Sequence, residues 1–203
     1  MARPRQITDE QILRTMRSSV LQHGPAVSLD VVAEQLHVTS PALIKRFGTR
    51  RALMIAALKP PDDASWLRRL EQGADDRPLQ VQLEEVISTF LESTREAMPC
   101  MFALRESGIP LSEVFPSSEV PPQVRALRAM ARWLGQLSDR GLADGSAIET
   151  AATALVGAIT ARAVTAHFTH TPWAPRAQRE YSKQLARLFT RALTPDNRKS
   201  KTS

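Results

Sequence analysis

The sequence predicts an all-α protein. An N-terminal three-helix helix-turn-helix domain is joined through a fourth helix to a larger α-helical domain. Three observations lead there. Apolar residues recur at three- and four-residue spacing through most of the chain. Capping residues, glycines and prolines cut that pattern into segments of helical length. The basic excess is confined to the first third of the chain. Residues 1–59 hold nine Lys/Arg against four acids, whereas the other 144 residues hold 18 against 17.

The first helix is read at about residues 8–23 of the sequence. Thr8-Asp9-Glu10-Gln11 has the form of a capping box, in which Thr8 and Gln11 satisfy each other's backbone N–H groups. Ile12, Leu13, Met16, Val20 and Leu21 follow on one face; Gly24 supplies a helix end and Pro25 blocks continuation. Ser28 caps a second, short helix, "LDVVAEQL", with Leu29, Val32, Ala33 and Leu36 as its apolar positions. His37-Val38 interrupts. Thr39 or Ser40 then caps a third helix that carries Pro41 in its first turn, where a missing N–H costs nothing. Leu43 and Phe47 face inward, and Ala42, Lys45 and Arg46 face elsewhere. Thr49 caps a fourth helix with Leu53, Ala56, Ala57 and Leu58, which Pro60-Pro61 ends.

Two short helices joined by a tight turn form a helix-turn-helix unit. Small Ala33 lets the second helix approach the third. Such a turn favours glycine. His37 stands there instead, and histidine tolerates φ > 0 better than β-branched residues do. A basic segment on a near-neutral body is an electrostatic footprint for a polyanion, although a solvated helix face gives the same composition.

The run "ILRTMRSSVLQHGPAVSLDVVAEQLHVTSPALIKRFGTRRALMIAAL" resembles the DNA-binding domain of TetR-family transcriptional regulators over about residues 8–58, a quarter of the chain. Two positions depart from the family pattern. His37 replaces the common turn glycine. Ile44 replaces a tyrosine whose hydroxyl typically holds a DNA phosphate.

The resemblance implies a helix-turn-helix DNA-binding domain at 1–58, a helical effector-binding and dimerisation domain at 59–193, and a disordered basic tail at 194–203. In a helix-turn-helix the N-terminal residues of the second helix reach base edges in the major groove. Those are Thr39, Ser40, Pro41 and Ala42, with Lys45 and Arg46 further along. The Ala42 methyl and the Pro41 ring suit a thymine methyl, and Lys45 can reach a guanine. Arg46, Ser28, Thr49 and Arg50 complete the expected set; Arg50 stands where the family places a phosphate-binding lysine. Arg3 and Arg5 precede the first helix and can enter the adjacent minor groove. One unit makes too few contacts for specificity. A homodimer presents two recognition helices about 34 Å apart, or a multiple of that, to a palindromic double-stranded operator.

Past a polar connector (60–78) with a short helical turn near Trp66–Leu70, Leu79, Leu83, Val86, Ile87, Phe90 and Leu91 share one helix face. Pro99 is expected to break that helix. "CMFALRES" is a further short helix closed by Gly108, and 109–122 is a proline-punctuated loop. Val124 to Leu137 make another helix, ended by Gly141. "AIETAATALVGAITARAVTAHF" (147–168) is apolar nearly all round, so most of its surface should be buried. The segment at 174–193 is amphipathic, with Leu185, Leu188, Phe189 and Leu193 on one face. By resemblance these last two long helices pair with their mates in a four-helix dimer interface; otherwise they complete the monomer's own core.

The family's central helices enclose a ligand pocket. The candidates for an unidentified small-molecule effector are Phe90, Met98, Met101, Phe102, Arg105, Met130 and Trp133. Arg105, if buried, needs an anionic partner or ligand. His167 and His170 have a spacing that could bind a metal, but with no acid nearby they read as histidines placed well at a helix C-terminus. No metal or other cofactor is expected. Cys100 excludes an intrachain disulfide, and nothing local marks it as reactive.

The composition sets further expectations. With 42% hydrophobic and 24% charged residues the chain reads as globular. No apolar run approaches the roughly 20 residues of a membrane span. The N-terminus lacks a secretory pattern, so a cytoplasmic location is expected, and the preference for Arg over Lys with abundant Ala and Pro suggests a GC-rich bacterial source. No Ser/His/Asp set, Gly-rich phosphate loop or metal cluster supports an enzyme. A non-specific architectural DNA binder should spread its cations along the whole chain. The expected function is a ligand-responsive repressor, with an activator of the same fold as the alternative.

Overall fold

A computed structural model describes residues 7–60, 65–116, 120–169, 171 and 174–195. Arg3, Arg5, His170 and the tail from residue 196 lie outside these residues. Ten α-helices are present among them: α1 (Asp9–His23), α2 (Leu29–Gln35), α3 (Ser40–Phe47), α4 (Arg50–Leu58), α5 (Ser65–Glu71), α6 (Leu79–Glu106), α7 (Leu111–Val114), α8 (Pro122–Asp139), α9 (Ile148–Phe168) and α10 (Pro175–Leu193). No strand occurs among the described residues.

The chain divides into two compact units. The first comprises residues 1–61 with 97–119, and the second 62–96 with 120–203. The first therefore contains α1–α4, the end of α6 and α7. Its core joins Ile12, Met16 and Val20 of α1 to Val32, Leu43, Leu53 and Leu58, and takes in Cys100, Leu104, Ile109 and Val114. The capping box of α1 is present: Thr8 Oγ1 accepts from the Gln11 N–H at 3.2 Å, and Gln11 Oε1 accepts from the Thr8 N–H at 2.9 Å. Arg17 closes the far end of α4. Its Nε donates to the Ala57 carbonyl at 2.7 Å, which places a cation among the unpaired carbonyls of a helix C-terminus.

Two expectations for the middle of the chain need correction. Pro99 does not end its helix; α6 continues through it to Glu106. Proline removes one backbone hydrogen bond and costs about 3 kcal/mol in a helix interior. Here the turns on either side are anchored by buried side chains, Leu91 before Pro99 and Cys100, Ala103 and Leu104 after it. Residues 109–122 are not loop throughout either. One turn, α7, forms because Pro110 presets its entry and Val114 is 1% exposed.

In the second unit α5, α6 and α8–α10 enclose Leu83, Ile87, Leu91, Trp133, Leu134, Leu155, Ile159 and Ala186. Trp66 stacks on Phe90 with ring centroids 4.6 Å apart. The segment between α5 and α6 is tied down by charge. Arg69 is buried and its Nε lies 3.0 Å from Glu85. Arg77 bridges Asp75 at 2.7 Å and Glu85 at 2.8 Å. Gln82, fully buried, accepts from the Asp75 N–H and donates to the Asp75 and Arg77 carbonyls.

The side-chain and backbone donors of Arg77 pull the Asp75 carboxyl down from 3.8 to about 2. Burial pushes Glu85 up, but Arg77 and Arg69 outweigh it and leave that carboxyl below its ordinary value. Both carboxyls bind protons less readily folded than unfolded. Their stabilisation is complete above the ordinary carboxylate range and is lost as pH falls towards about 2. Acid titration of Arg77→Gln followed by circular dichroism should give an unfolding midpoint at higher pH than the parent chain's, and its loss of stability should be largest near neutrality and vanish as pH falls towards about 2.

α9 is buried on one face only within the protomer. Its core face holds Ala152, Leu155, Val156, Ile159 and Ala163, but Thr153, Ala154, Gly157, Ala161, Thr165 and Phe168 are exposed. An 18-residue window within Gly145–Phe168 has a mean hydropathy of 1.3, with 28% of that window buried. By length and composition it could cross a membrane. The sequence reading missed this because the apolar character is spread over Ala, Gly and Thr rather than a run of large side chains.

Candidate nucleic-acid interface

The turn between α2 and α3 orients the helix that would read DNA. α2 ends in a double-bonded cap: the His37 N–H donates to the Glu34 carbonyl at 3.1 Å and the Val38 N–H to the Ala33 carbonyl at 3.0 Å. This pattern requires a left-handed residue after the helix. His37 adopts it, with φ 55°, as the sequence reading expects of the residue in the glycine's place. A side chain in that region costs about 1–2 kcal/mol relative to ordinary backbone. His37→Gly should therefore raise stability by about 1 kcal/mol in urea denaturation, with the helix content unchanged.

Thr39 caps α3 by accepting from the Ala42 N–H at 3.4 Å, and Pro41 sits in the first turn. Leu43 is 1% exposed, and Phe47 packs partly buried against the same core. Pro41, Ala42 and Lys45 fall on the opposite side of α3 and are exposed, as is Thr39. Ile44 is half-buried at the edge of the helix and is not among the residues packed on the core.

The other expected contacts are engaged within the protein. The Ser40 hydroxyl donates to Asp30 of α2, which leaves its oxygen as an acceptor. Arg46 turns back to α1, pairing with Asp9 and donating to the Ile7 carbonyl at 2.6 Å. Such an exposed pair is worth little and can exchange for a phosphate. Lys45 has no partner among the described residues. Arg50 donates to the Pro25 and Val27 carbonyls at 2.6 and 2.9 Å, so it fixes the loop leading into α2. Ser28 and Thr49 are exposed N-caps, accepting from the Val31 and Ala52 N–H groups at 3.4 and 3.0 Å.

Sequence reasoning missed Arg51. It forks onto both oxygens of Glu113 at 2.6 and 2.7 Å and reaches the Gly108 carbonyl at 3.3 Å. The pairing raises the Arg51 pKa and holds the Glu113 carboxyl below its ordinary range. This ties α4 to α7. No local pattern announces a contact across 62 residues.

The expected effector residues are divided between the two units. Phe90, Met130 and Trp133 lie in the core of the second, whereas Met98, Met101, Phe102 and Arg105 belong to the first. Arg105 is exposed, so the premise of a buried cation there does not hold. Trp133 is 1% exposed and its indole Nε1–H has no hydrogen-bond partner among the described residues. Cys100 is buried among apolar side chains. His167 meets Phe168 edge-on at 5.8 Å, and no group of metal-binding side chains occurs among the described residues.

No protein-family model matches the chain, and no curated protein matches it. Solved structures do. A protein whose structure is described as the molecular basis for control of antibiotic production by bacterial hormones is 23% identical, with a TM-score of 0.67 over 93% of this chain and 99% of its own. The TetR transcriptional regulator SCO0520 from Streptomyces coelicolor is 20% identical, with a TM-score of 0.55 over 93% and 99%. A TetR-like transcriptional regulator from Rhodococcus sp. RHA1 is 19% identical, with a TM-score of 0.59 over 91% and 96%. The chain has the fold of TetR-like transcriptional regulators along most of its length.

Proposed function

We propose that this chain is a TetR-family transcriptional regulator, a cytoplasmic homodimer that binds a palindromic operator and is released by a small-molecule effector. The observation that carries the proposal is the face of α3. Capped by Thr39 and set by the turn at His37, it turns Pro41, Ala42 and Lys45 to solvent on the side away from Leu43. An apolar pair beside an unpaired cation suits the thymine methyl and guanine edges of a major groove. Ser28, Thr49 and the exposed N-termini they cap, with Arg46 released from Asp9, would hold the flanking phosphates.

Dimerisation is supported by the exposed face of α9. Small residues let a second helix approach closely, and Gly157 and Ala161 stand one turn apart on that face. Leu188 of α10, 61% exposed, adds to the apolar surface. A second copy suits this face better than a bilayer. Arg162 puts a charge in the apolar run, and the opposite side of the helix is already packed in the core.

Effector binding is supported by the Trp133 indole. A buried N–H without a partner costs about 1–3 kcal/mol. A ligand that offers an oxygen acceptor would recover that cost and would bind one conformation of the protein in preference to the other. Release of DNA on effector binding is the repressor reading; an activator of the same fold would instead raise transcription from its operator.

The test is selection of duplexes from a random-sequence library by the purified protein. Enrichment of a palindrome with half-sites one or two helical turns apart supports the reading. Recovery of unselected sequence removes it.

A further inference from the structure

We infer that α10 carries a second polyanion-binding surface, a cationic ridge that contacts the phosphate backbone of double-stranded DNA without reading its sequence. Arg176, Arg179, Lys183, Arg187 and Arg191 recur every three or four residues, and all are exposed. At 100° per residue they fall within one third of the helix circumference, beside the stripe of buried Leu185, Ala186, Phe189 and Leu193 and not overlapping it. The ridge runs about 22 Å, with one cation per turn.

Pairing separates this ridge from an ordinary solvated face. Many cations of the chain are engaged, including Arg17, Arg51, Arg77 and Arg95. None of the five on α10 has a hydrogen bond or ion pair among the described residues. The single acid on that face, Glu180, accepts from Gln184 at 2.9 Å and pairs with no cation among the described residues. Beyond α10 the sequence adds Arg198, Lys199 and Lys201 against Asp196 alone. Uncompensated charge at this density costs self-repulsion and gains only from an anionic partner.

The form of the ridge selects the partner. No aromatic or large apolar side chain stands among the cations, so it has no anchor of the kind protein partners fill. The apolar face of α10 is buried in the core, so the helix cannot insert into a membrane as an amphipathic anchor does. Four of the five are arginines, whose planar fork matches phosphate oxygens. A linear array of cations fits a strand that carries a charge about every 3.4 Å. A two-fold homodimer would not bury the ridge against its own copy, because like charges would meet. The inference stands on α10 alone and not on the reading of α3.

The experiment measures binding of the full-length protein to a short random-sequence duplex as salt is varied. Arg179→Gln/Lys183→Gln/Arg187→Gln should lower the steepness of the log–log salt dependence by about 2.7, three lost phosphate contacts at about 0.9 each. The charge-preserving Arg179→Lys/Arg187→Lys should keep the parent slope, and both should melt at the parent temperature. An unchanged slope in the triple Gln variant overturns the inference. So does a loss of slope in the Lys variant, which would trace the effect to structure rather than charge. Ridge-dependent binding to phosphatidylglycerol vesicles or polyglutamate, without a change on the duplex, overturns it as well. Failure of the α3 reading is separately visible, since that would abolish sequence preference and leave the slope difference intact.

Discussion

Gly157→Arg should give a monomer that keeps its helix content and loses most of its operator affinity. Gly157 is helical and exposed, and a Cβ built on it meets nothing within 4 Å, so the protomer accommodates the new side chain. Relative to glycine, almost any residue also favours the helix by a few tenths of a kcal/mol to about 1. The damage falls between copies. The substitution would place two desolvated guanidinium groups in an apolar interface between α9 and its mate. Two half-sites held by one dimer gain about 10²- to 10⁴-fold over one half-site held alone. Light scattering should report half the parent mass, and operator binding should weaken by a factor in that range. A dimer of parental mass would move the interface off this face of α9.

Leu43→Ala should cost the first unit about 2–5 kcal/mol, a large share of a typical domain's stability. Leu43 is 1% exposed and is the residue through which α3 enters a core shared with Met16, Val32 and Leu53. Ile44→Ala, one position along, should cost much less, because that side chain is only half-buried and stands beside the core rather than in it. Urea denaturation of the two variants checks the facing of α3 without any DNA. Equal losses would mean the helix is rotated from the orientation that exposes Lys45.

The helices were legible where the backbone announces itself. Thr8 with Gln11, Ser28 and Thr49 each cap the helix the sequence assigns them, Thr39 and not Ser40 caps α3, and Gly24 ends α1. His37 was recognisable as a left-handed turn residue because few alternatives to glycine tolerate that region. Pro99 misled because its cost is local while the burial that outweighs it is set by partners distant in sequence. α7 was hidden for the same reason: Val114 is buried against residues from α1–α4 and α6. In the site, the exposed residues of α3 followed from periodicity alone. The engagement of Arg46 by Asp9, Ser40 by Asp30 and Arg50 by two loop carbonyls did not, since each joins segments ten or more residues apart. Cation count located the basic first third of the chain and overlooked the cations of α10, which the acids elsewhere in the remaining 144 residues offset in the total. Only the structure separated cations with partners from Lys45 and the ridge on α10.

The central claim is that the exposed face of α3 reads sequence. The direct measurement is duplex selection from one random library by the parent protein and by Lys45→Ala in parallel. The account predicts that the parent enriches a palindrome and that Lys45→Ala loses preference at one symmetric pair of positions, at a cost of about 1–3 kcal/mol per contact, while the rest of the motif persists. An identical motif from both proteins, or loss of binding to every sequence alike, would contradict it.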